Sequence, residues 1–271
     1  MGQIRFLGTA GARFVVARQL RYSAGTWLEL GNTQLLVDPG PGTLVRARRA
    51  RPALAPEKLT GILLSHKHLD HSSDTNVMLE AMAEGGRRQR GTLLAPTDAL
   101  EGGDPVILRY VRSFPRRIRV WRDGQPVELD QLTVTPVRHQ HGVETYGLVV
   151  DSPEGRLGFV VDGRMSDELP ERYAGCQLLV LNTVRREWTP DVDHLSLPES
   201  LELIRAVRPH LAVLTHFGMT MLRAGPRRLA EQATQKLGTQ VRAAADGMTV
   251  SSEAWGTPDD EDEAHVQQTQ S

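Results

Sequence analysis

Apolar positions along this 271-residue chain recur mostly with a period of two, in short runs closed by Gly, Pro or Asp. That is the spacing of many short strands interleaved with a few helices. Residues 3–7 alternate and predict a strand, and "GTAGARF" after them predicts a glycine-punctuated loop. "TWLEL" and "TQLLVDPG", separated by "GN", predict a hairpin. "GTLVRARRARP" predicts a short helix stopped at Pro52, and "LTGILLSHKH" a buried strand. "SDTNVMLEAMAEGG" predicts a helix with Ser73 or Asp74 at its cap and a glycine stop, followed by a strand at "GTLLAP". "DPVILRYVRSF" has the spacing of a helix. From Arg117 onward the pattern is strand after strand: "RIRVW", "QPVEL", "LTVTPVRH", "TYGLVVD", "RLGFVVDG" and "CQLLVLNT". A capped amphipathic helix at "SLPESLELIRAVRP", a strand at "LAVLTHFG", a helix at "PRRLAEQATQKLG" and edge strands at "QVRAAADGMTV" complete the series.

Two strand-rich halves, each closed by helices, predict sheets covered by helices on their outer faces. Periodicity leaves the strand order open. The chain has no internal repeat. Its last stretch, "GTPDDEDEAHVQQTQS", has little to bury. The expected organisation is one domain over residues 1–254 and an acidic, glutamine-rich disordered tail over 255–271.

Composition narrows the class. Hydrophobic residues make up 39% of the chain, enough for a sizeable core, while the longest apolar runs, such as "LLVL", are strand-sized. None approaches the ~20 residues of a membrane span, and the N-terminus enters a strand pattern directly, so neither a membrane anchor nor a signal peptide is expected. The single cysteine, Cys176, excludes an intrachain disulfide framework and fits a reducing cytoplasm. Net charge is −1, but the run Asp259, Asp260, Glu261, Asp262, Glu263 carries −5, so the rest of the chain is mildly basic at +4. A mildly basic, arginine-rich body is compatible with a phosphate-bearing substrate.

The chemistry concentrates in "LLSHKHLDHSSD", residues 63–74. Imidazole and carboxylate suit zinc, iron or manganese. Side chains two apart at a strand's end point the same way, so His66 and His68 can converge, while Asp70 and His71, further round the turn, reach a second position nearby. Two ligand pairs on one short loop point to two adjacent metals.

"HKHLDH" matches the H-x-H-x-D-H signature of the metallo-β-lactamase superfamily, and further stretches resemble that family's motifs in order. "LLVDPGPG" resembles its early aspartate motif, "RHQHGVETYG" its third-motif histidine, "GFVVDG" its bridging aspartate and "LAVLTHFG" its last metal histidine. The resemblance spans roughly residues 3–248. It implies an α/β fold, the αββα four-layer sandwich, with a dinuclear centre of two divalent ions, zinc first and manganese or iron as alternatives. His66, His68 and His141 would hold one ion, Asp70, His71 and His216 the other, and Asp162 would bridge them. His139 competes with His141, whose distance to the following Tyr-Gly resembles the family's. Asp38 would orient the loop through hydrogen bonds. The implied chemistry is hydrolysis by a metal-bridged hydroxide, with Asp70 among the catalytic groups.

Within the superfamily, Asp162 argues against the β-lactamases proper, and His68 together with the lack of a flavin domain argues against flavodiiron enzymes. "DVDHLSLPES" resembles the extra histidine motif of the ribonuclease Z-like phosphodiesterases, which gives His194 a role at the scissile phosphate or its leaving group. Only 20 residues separate His141 from Asp162, too few for the tRNA-gripping arm of ribonuclease Z, and "GTAGARFVV" lacks the cysteines of the related cyclic phosphodiesterase. The expected activity is therefore a phosphodiesterase acting on small or cyclic phosphodiesters. A lactone, thioester or carboxyl-ester hydrolase, a tRNA 3′-processing nuclease and an iron-dependent oxidoreductase are the alternatives. Arg185 and Arg186, following a buried strand on the metal side, are the expected substrate-binding residues, and the resemblance suggests a homodimer.

Overall fold

The computed structural model describes residues 2–190 and 192–256. Among these residues, fourteen strands form two seven-stranded sheets. The first contains β1 (Gln3–Phe6), β2 (Thr26–Leu30), β3 (Thr33–Val37), β4 (Gly61–Leu63), β5 (Thr92–Ala95) and β6 (Arg117–Val120). The second contains β7 (Val127–Leu129), β8 (Leu132–His139), β9 (Thr145–Ser152), β10 (Gly155–Val160), β11 (Leu178–Asn182), β12 (Leu211–Thr215) and β13 (Gln240–Ala243). The last strand, β14 (Thr249–Ser251), returns to the first sheet, giving the orders β14-β1-β2-β3-β4-β5-β6 and β13-β12-β11-β10-β9-β8-β7. The expected pair of edge strands at "QVRAAADGMTV" is thus split, one strand closing each sheet.

The period-two pattern explains the layers. In β3, Leu35 and Val37 face the interior between the sheets, while Leu36 faces outward; in β11, Leu178 and Val180 face inward and Leu179 and Leu181 outward. The inner faces of both sheets form one core, which includes Ile4, Leu28, Leu63, Val150, Phe159 and Val213. The outer face of the first sheet packs with the helices Thr43–Arg49 and Thr75–Met82, and that of the second with Leu197–Val207 and Pro226–Leu237. This is the expected αββα sandwich. Strands that are parallel to their neighbours, such as β4, β11 and β12, read as continuous apolar runs because both their faces are covered.

Several local expectations shift. "GTAGARF" contains a helix, Ala12–Ala17, rather than loop throughout. Gly11 before it is required by crowding, since a Cβ there would lie 2.0 Å from the carbonyl oxygen of His216. "DPVILRYVRSF" keeps only a 3₁₀ turn, Arg109–Ser113. The helix Leu197–Val207 has the full capping box, with Ser196 accepting from the Glu199 amide and Glu199 reaching back to Ser196. The domain boundary also moves. Trp255 is fully buried in the inter-sheet core, and its carbonyl lies 2.9 Å from His210 Nδ1, so it belongs to the domain rather than to a tail starting at 255. Residues 257–271 of the expected tail lie outside the described residues. No helix among the described residues is long and apolar enough to cross a membrane.

Candidate metal centre

Most of the site is delivered by strands that run the same way and stop at the same edge. β3 ends one residue before Asp38, β4 three before His66, β8 two before His141, β10 two before Asp162, and β12 one before His216. Open α/β sheets present their ligand sites at such carboxyl ends. The two sheets contribute opposite walls, so the metal loop of the first faces Asp162 and His216 of the second.

Among the described residues, three groups each bring their potential ligand atoms within 4.8 Å of one another: His66, His68 and His141; Asp70, His71 and His216; and Asp38, His66 and His71. The first two are the two expected ligand sets. Asp162 lies between them. Its carboxylate is 3.3 Å from His216 Nε2, 3.5 Å from His71 Nε2 and 3.9 Å from His66 Nε2. His68 Nδ1 and His141 Nε2 are 3.2 Å apart. His141 Nδ1 is 2.9 Å from the Asp193 carbonyl, which can only accept, so in the neutral ring Nε2 carries a lone pair toward His68.

Asp38 belongs to the third group by proximity, but its oxygens are already engaged. Oδ1 accepts from the Ser65 amide at 2.7 Å, and Oδ2 accepts from Ser65 Oγ at 2.7 Å and from His71 Nδ1 at 2.9 Å. Because the carboxylate only accepts, the proton of His71 sits on Nδ1 and Nε2 is left as a ligand atom. Ser65 Oγ, having donated to Asp38, accepts from His66 Nδ1 at 2.9 Å, which leaves His66 Nε2 in the same state. One carboxylate thereby sets the tautomer of two histidines through hydrogen bonds; the sequence reading gives Asp38 only an orienting role for the loop. Asp38 and His216 hold φ of 50° and 58°, a region costly for non-glycine residues and concentrated at functional sites.

The donor set fits a cation on an independent observation. His66 Nε2, His71 Nε2 and His216 Nε2, together with His194 Nδ1, are buried with no hydrogen-bond partner, although buried polar atoms are ordinarily satisfied. Electrostatics agree. Burial opposes the charge of Asp162, yet His216, His71 and His194 hold its carboxyl well below the usual range. Burial, reinforced by His71, pushes His66 well below the ordinary imidazole value, whereas for His71 burial is outweighed by Asp70, Asp162 and Asp38, which raise it. The carboxylates around His71 thus draw positive charge to this position, which a divalent ion held by imidazole and carboxylate donors would supply.

His139 stands apart from these groups. It is buried, with Nε2 2.9 Å from the Tyr173 hydroxyl and Nδ1 3.3 Å from the Asp162 carbonyl, and burial takes its pKa down to about 4. Tyr173 in turn donates to the Phe159 carbonyl at 3.0 Å. His194 belongs to none of the three ligand groups. Its Nδ1 is 3.4 Å from Asp162 Oδ2, its ring is 5.2 Å from that of His141, and its side chain is 23% exposed. Burial lowers its pKa against the pull of Asp162.

Arg185 and Arg186 are not brought to the ligand cluster. They line a neighbouring cavity of about 440 Å³ whose walls include none of the seven expected metal ligands. Sequence reasoning also missed Asn182, whose amide donates to Asp162 Oδ1 at 2.9 Å, and Ser65. No local signal marked Asn182, which gains its partner only because β11 pairs with β10, the strand leading to Asp162.

A family profile described as the β-lactamase superfamily domain matches residues 33–217. Ribonuclease Z of Methanopyrus kandleri is 27% identical over 288 aligned positions, covering 91% of this chain and 96% of that protein. The metallo-β-lactamase fold protein YhfI of Bacillus subtilis superposes with a TM-score of 0.75 at 18% identity, covering 92% of this chain and 98% of that one. A diphosphatase of the PhnP family superposes with a TM-score of 0.68 at 18% identity, covering 93% and 98%.

Proposed function

This chain belongs to the β-lactamase superfamily, and we propose that it is a dinuclear-metal phosphodiesterase that hydrolyses small phosphodiesters. The observation that carries the proposal is the placement of His194. It is a titratable group 3.4 Å from the central Asp162 carboxylate, outside the ligand groups and partly open to solvent. A phosphodiester needs such a group, because its leaving alkoxide takes up a proton. The 27% identity to a ribonuclease Z across nearly the whole chain supports the same class.

His66, His68 and His141 would hold one divalent ion and Asp70, His71 and His216 the other, with Asp162 between them. Bound there, the ions would supply Lewis acidity, lowering the pKa of water and offsetting negative charge on the phosphoryl oxygens. The chain's own groups do the rest. Asp38 and Ser65 fix protons on the Nδ1 atoms of His71 and His66 and so keep both Nε2 atoms as lone pairs. Asn182 restrains the Asp162 carboxylate through Oδ1. His194, with Nδ1 turned to Asp162, has Nε2 left for transferring a proton to the departing oxygen. Zinc suits the histidine-rich donor set best, and the lone buried thiol suits a reducing cytoplasm.

The test is metal content per chain together with hydrolysis of bis(p-nitrophenyl) phosphate, a lactone and a thioester. Two ions per chain and a preference for the diester are expected. A single redox-active iron, or turnover confined to the lactone or thioester, would overturn the assignment.

A further inference from the structure

The cavity beside the metal centre has an unusual wall. Arg185, Arg186, Arg223 and Arg228 contribute four positive charges against the one negative charge of Glu187. Some arginines elsewhere on the surface meet carboxylates, as in Arg48–Glu57, Arg156–Asp151 and Arg172–Asp123. Here the pairing is almost lacking. Arg186 approaches Glu187 at 3.8 Å with both side chains exposed, a contact of little energetic weight. Arg185 bonds Thr189 Oγ1 through Nη1, while its Nε is buried with no partner. Arg228 donates to the Ala224 carbonyl, and Arg223 meets no carboxylate among the described residues.

Trp188 stands on the same wall, 64% exposed. The chain has four tryptophans, and the other three, Trp27, Trp121 and Trp255, are fully buried. An exposed indole beside under-paired guanidinium groups is the combination that binds nucleotides, since bases stack on aromatic faces and phosphates take bidentate hydrogen bonds from arginine.

The cavity is also tied to the metal centre. Arg185 follows Asn182, the donor to Asp162, by three residues, a reach of at most ~11 Å. Its backbone bridges Ser196, two residues beyond His194, and the Val184 carbonyl accepts from the amide of Gly218, two residues beyond His216. The two segments that form the cavity, 185–189 and 220–228, are therefore continuous with two that carry the site, and the first is paired with the segment that follows His194.

We propose that this cavity is a nucleotide subsite: its arginines hold a second phosphate and Trp188 stacks the attached base. The inference rests on the phosphodiesterase reading for its link to catalysis, and it makes the substrate a short linear oligonucleotide, whose scissile diester lies at the metals while the neighbouring nucleotide occupies the cavity. A cyclic mononucleotide has no second phosphate to offer.

Trp188 supplies the readout, because it is the one tryptophan among the four that solvent reaches. The metal-loaded full chain is titrated with a 5′-phosphorylated dinucleotide carrying a hydrolysis-resistant phosphorothioate linkage, and tryptophan emission is followed. Saturable quenching is expected, with an apparent Kd raised about ten-fold or more in the exposed-site double variant Arg223→Ala/Arg228→Ala. A 3′,5′-cyclic mononucleotide is expected to quench far less at equal concentration. Unchanged emission with the dinucleotide, or quenching indifferent to the arginine substitutions, overturns the subsite. Quenching as expected without hydrolysis of the normal dinucleotide leaves the subsite standing and removes the phosphodiesterase reading instead.

Discussion

Nδ1 of His71 lies 2.9 Å from Oδ2 of Asp38, and that contact decides which nitrogen His71 turns to a cation. The same oxygen takes the proton of Ser65, which in turn orients His66. One carboxylate on β3's exit thus prepares a histidine from each of the two ligand sets.

Replacing Asp38 with Asn tests this without straining the backbone, since Asn tolerates the left-handed φ of 50° at this position. Metal affinity should fall about 10–100-fold, the usual cost of losing an outer partner of a ligating histidine. Metal retained against a graded series of chelator concentrations measures it. Wild-type retention would show that the tautomers are set some other way.

The two histidines of "RHQH" are separated by the same kind of measurement. His141→Asn should leave about one ion per chain, because its Nε2 faces His68. His139→Asn should keep both, since its ring is spent on Tyr173 and the Asp162 carbonyl. Loss of an ion from the His139 variant alone would exchange the two assignments.

Trp255 marks where the folded chain needs to end. Ending the chain at Gly256 should leave the melting temperature nearly unchanged, as the acidic stretch beyond has little to bury. Ending it at Ala254 removes a fully buried indole from the inter-sheet core and should cost about 3–5 kcal/mol, on the scale of Trp→Ala substitutions. Thermal denaturation of the two truncations decides; equal melting temperatures would mean that the indole contributes nothing to the core.

Burial pushes the Cys176 thiol up to about 11. At pH 8 the native thiolate fraction is then roughly 10⁻³, against roughly a quarter in the unfolded chain, so an aromatic disulfide reagent should react at least about a hundredfold faster after denaturation in urea. Comparable rates in both states would place the thiol at the surface.

Much of this site is legible in the sequence because its residues are local and sit at strand ends. "HKHLDH" compresses four of the seven proposed ligands into six positions, and Asp162 and His216 each close an apolar run that reads as a strand. Their convergence was readable only through the ordered resemblance of the motifs. What stayed hidden depends on which strand lies beside which. Asn182 reads as the end of an ordinary strand until β11 is placed next to β10. Trp255 borders a stretch of tail-like composition, and only the return of β14 to the first sheet brings it into the core. Arg185 and Arg186 were singled out for following a metal-side strand, but the chain turns after Val184, and their side chains serve a separate cavity.

In the proposed mechanism His194 acts as a proton donor rather than as a ligand. His194→Ala should keep both ions, and the informative quantity is its rate relative to wild type on two phosphodiesters that differ only in leaving group. With an alkoxide leaving group, which needs a proton, the loss should be about 10²–10⁴-fold. With p-nitrophenolate, which barely needs one, it should be much smaller. Equal losses on the two substrates, or departure of an ion from the variant, would contradict the proton-transfer role and the phosphodiesterase mechanism built on it.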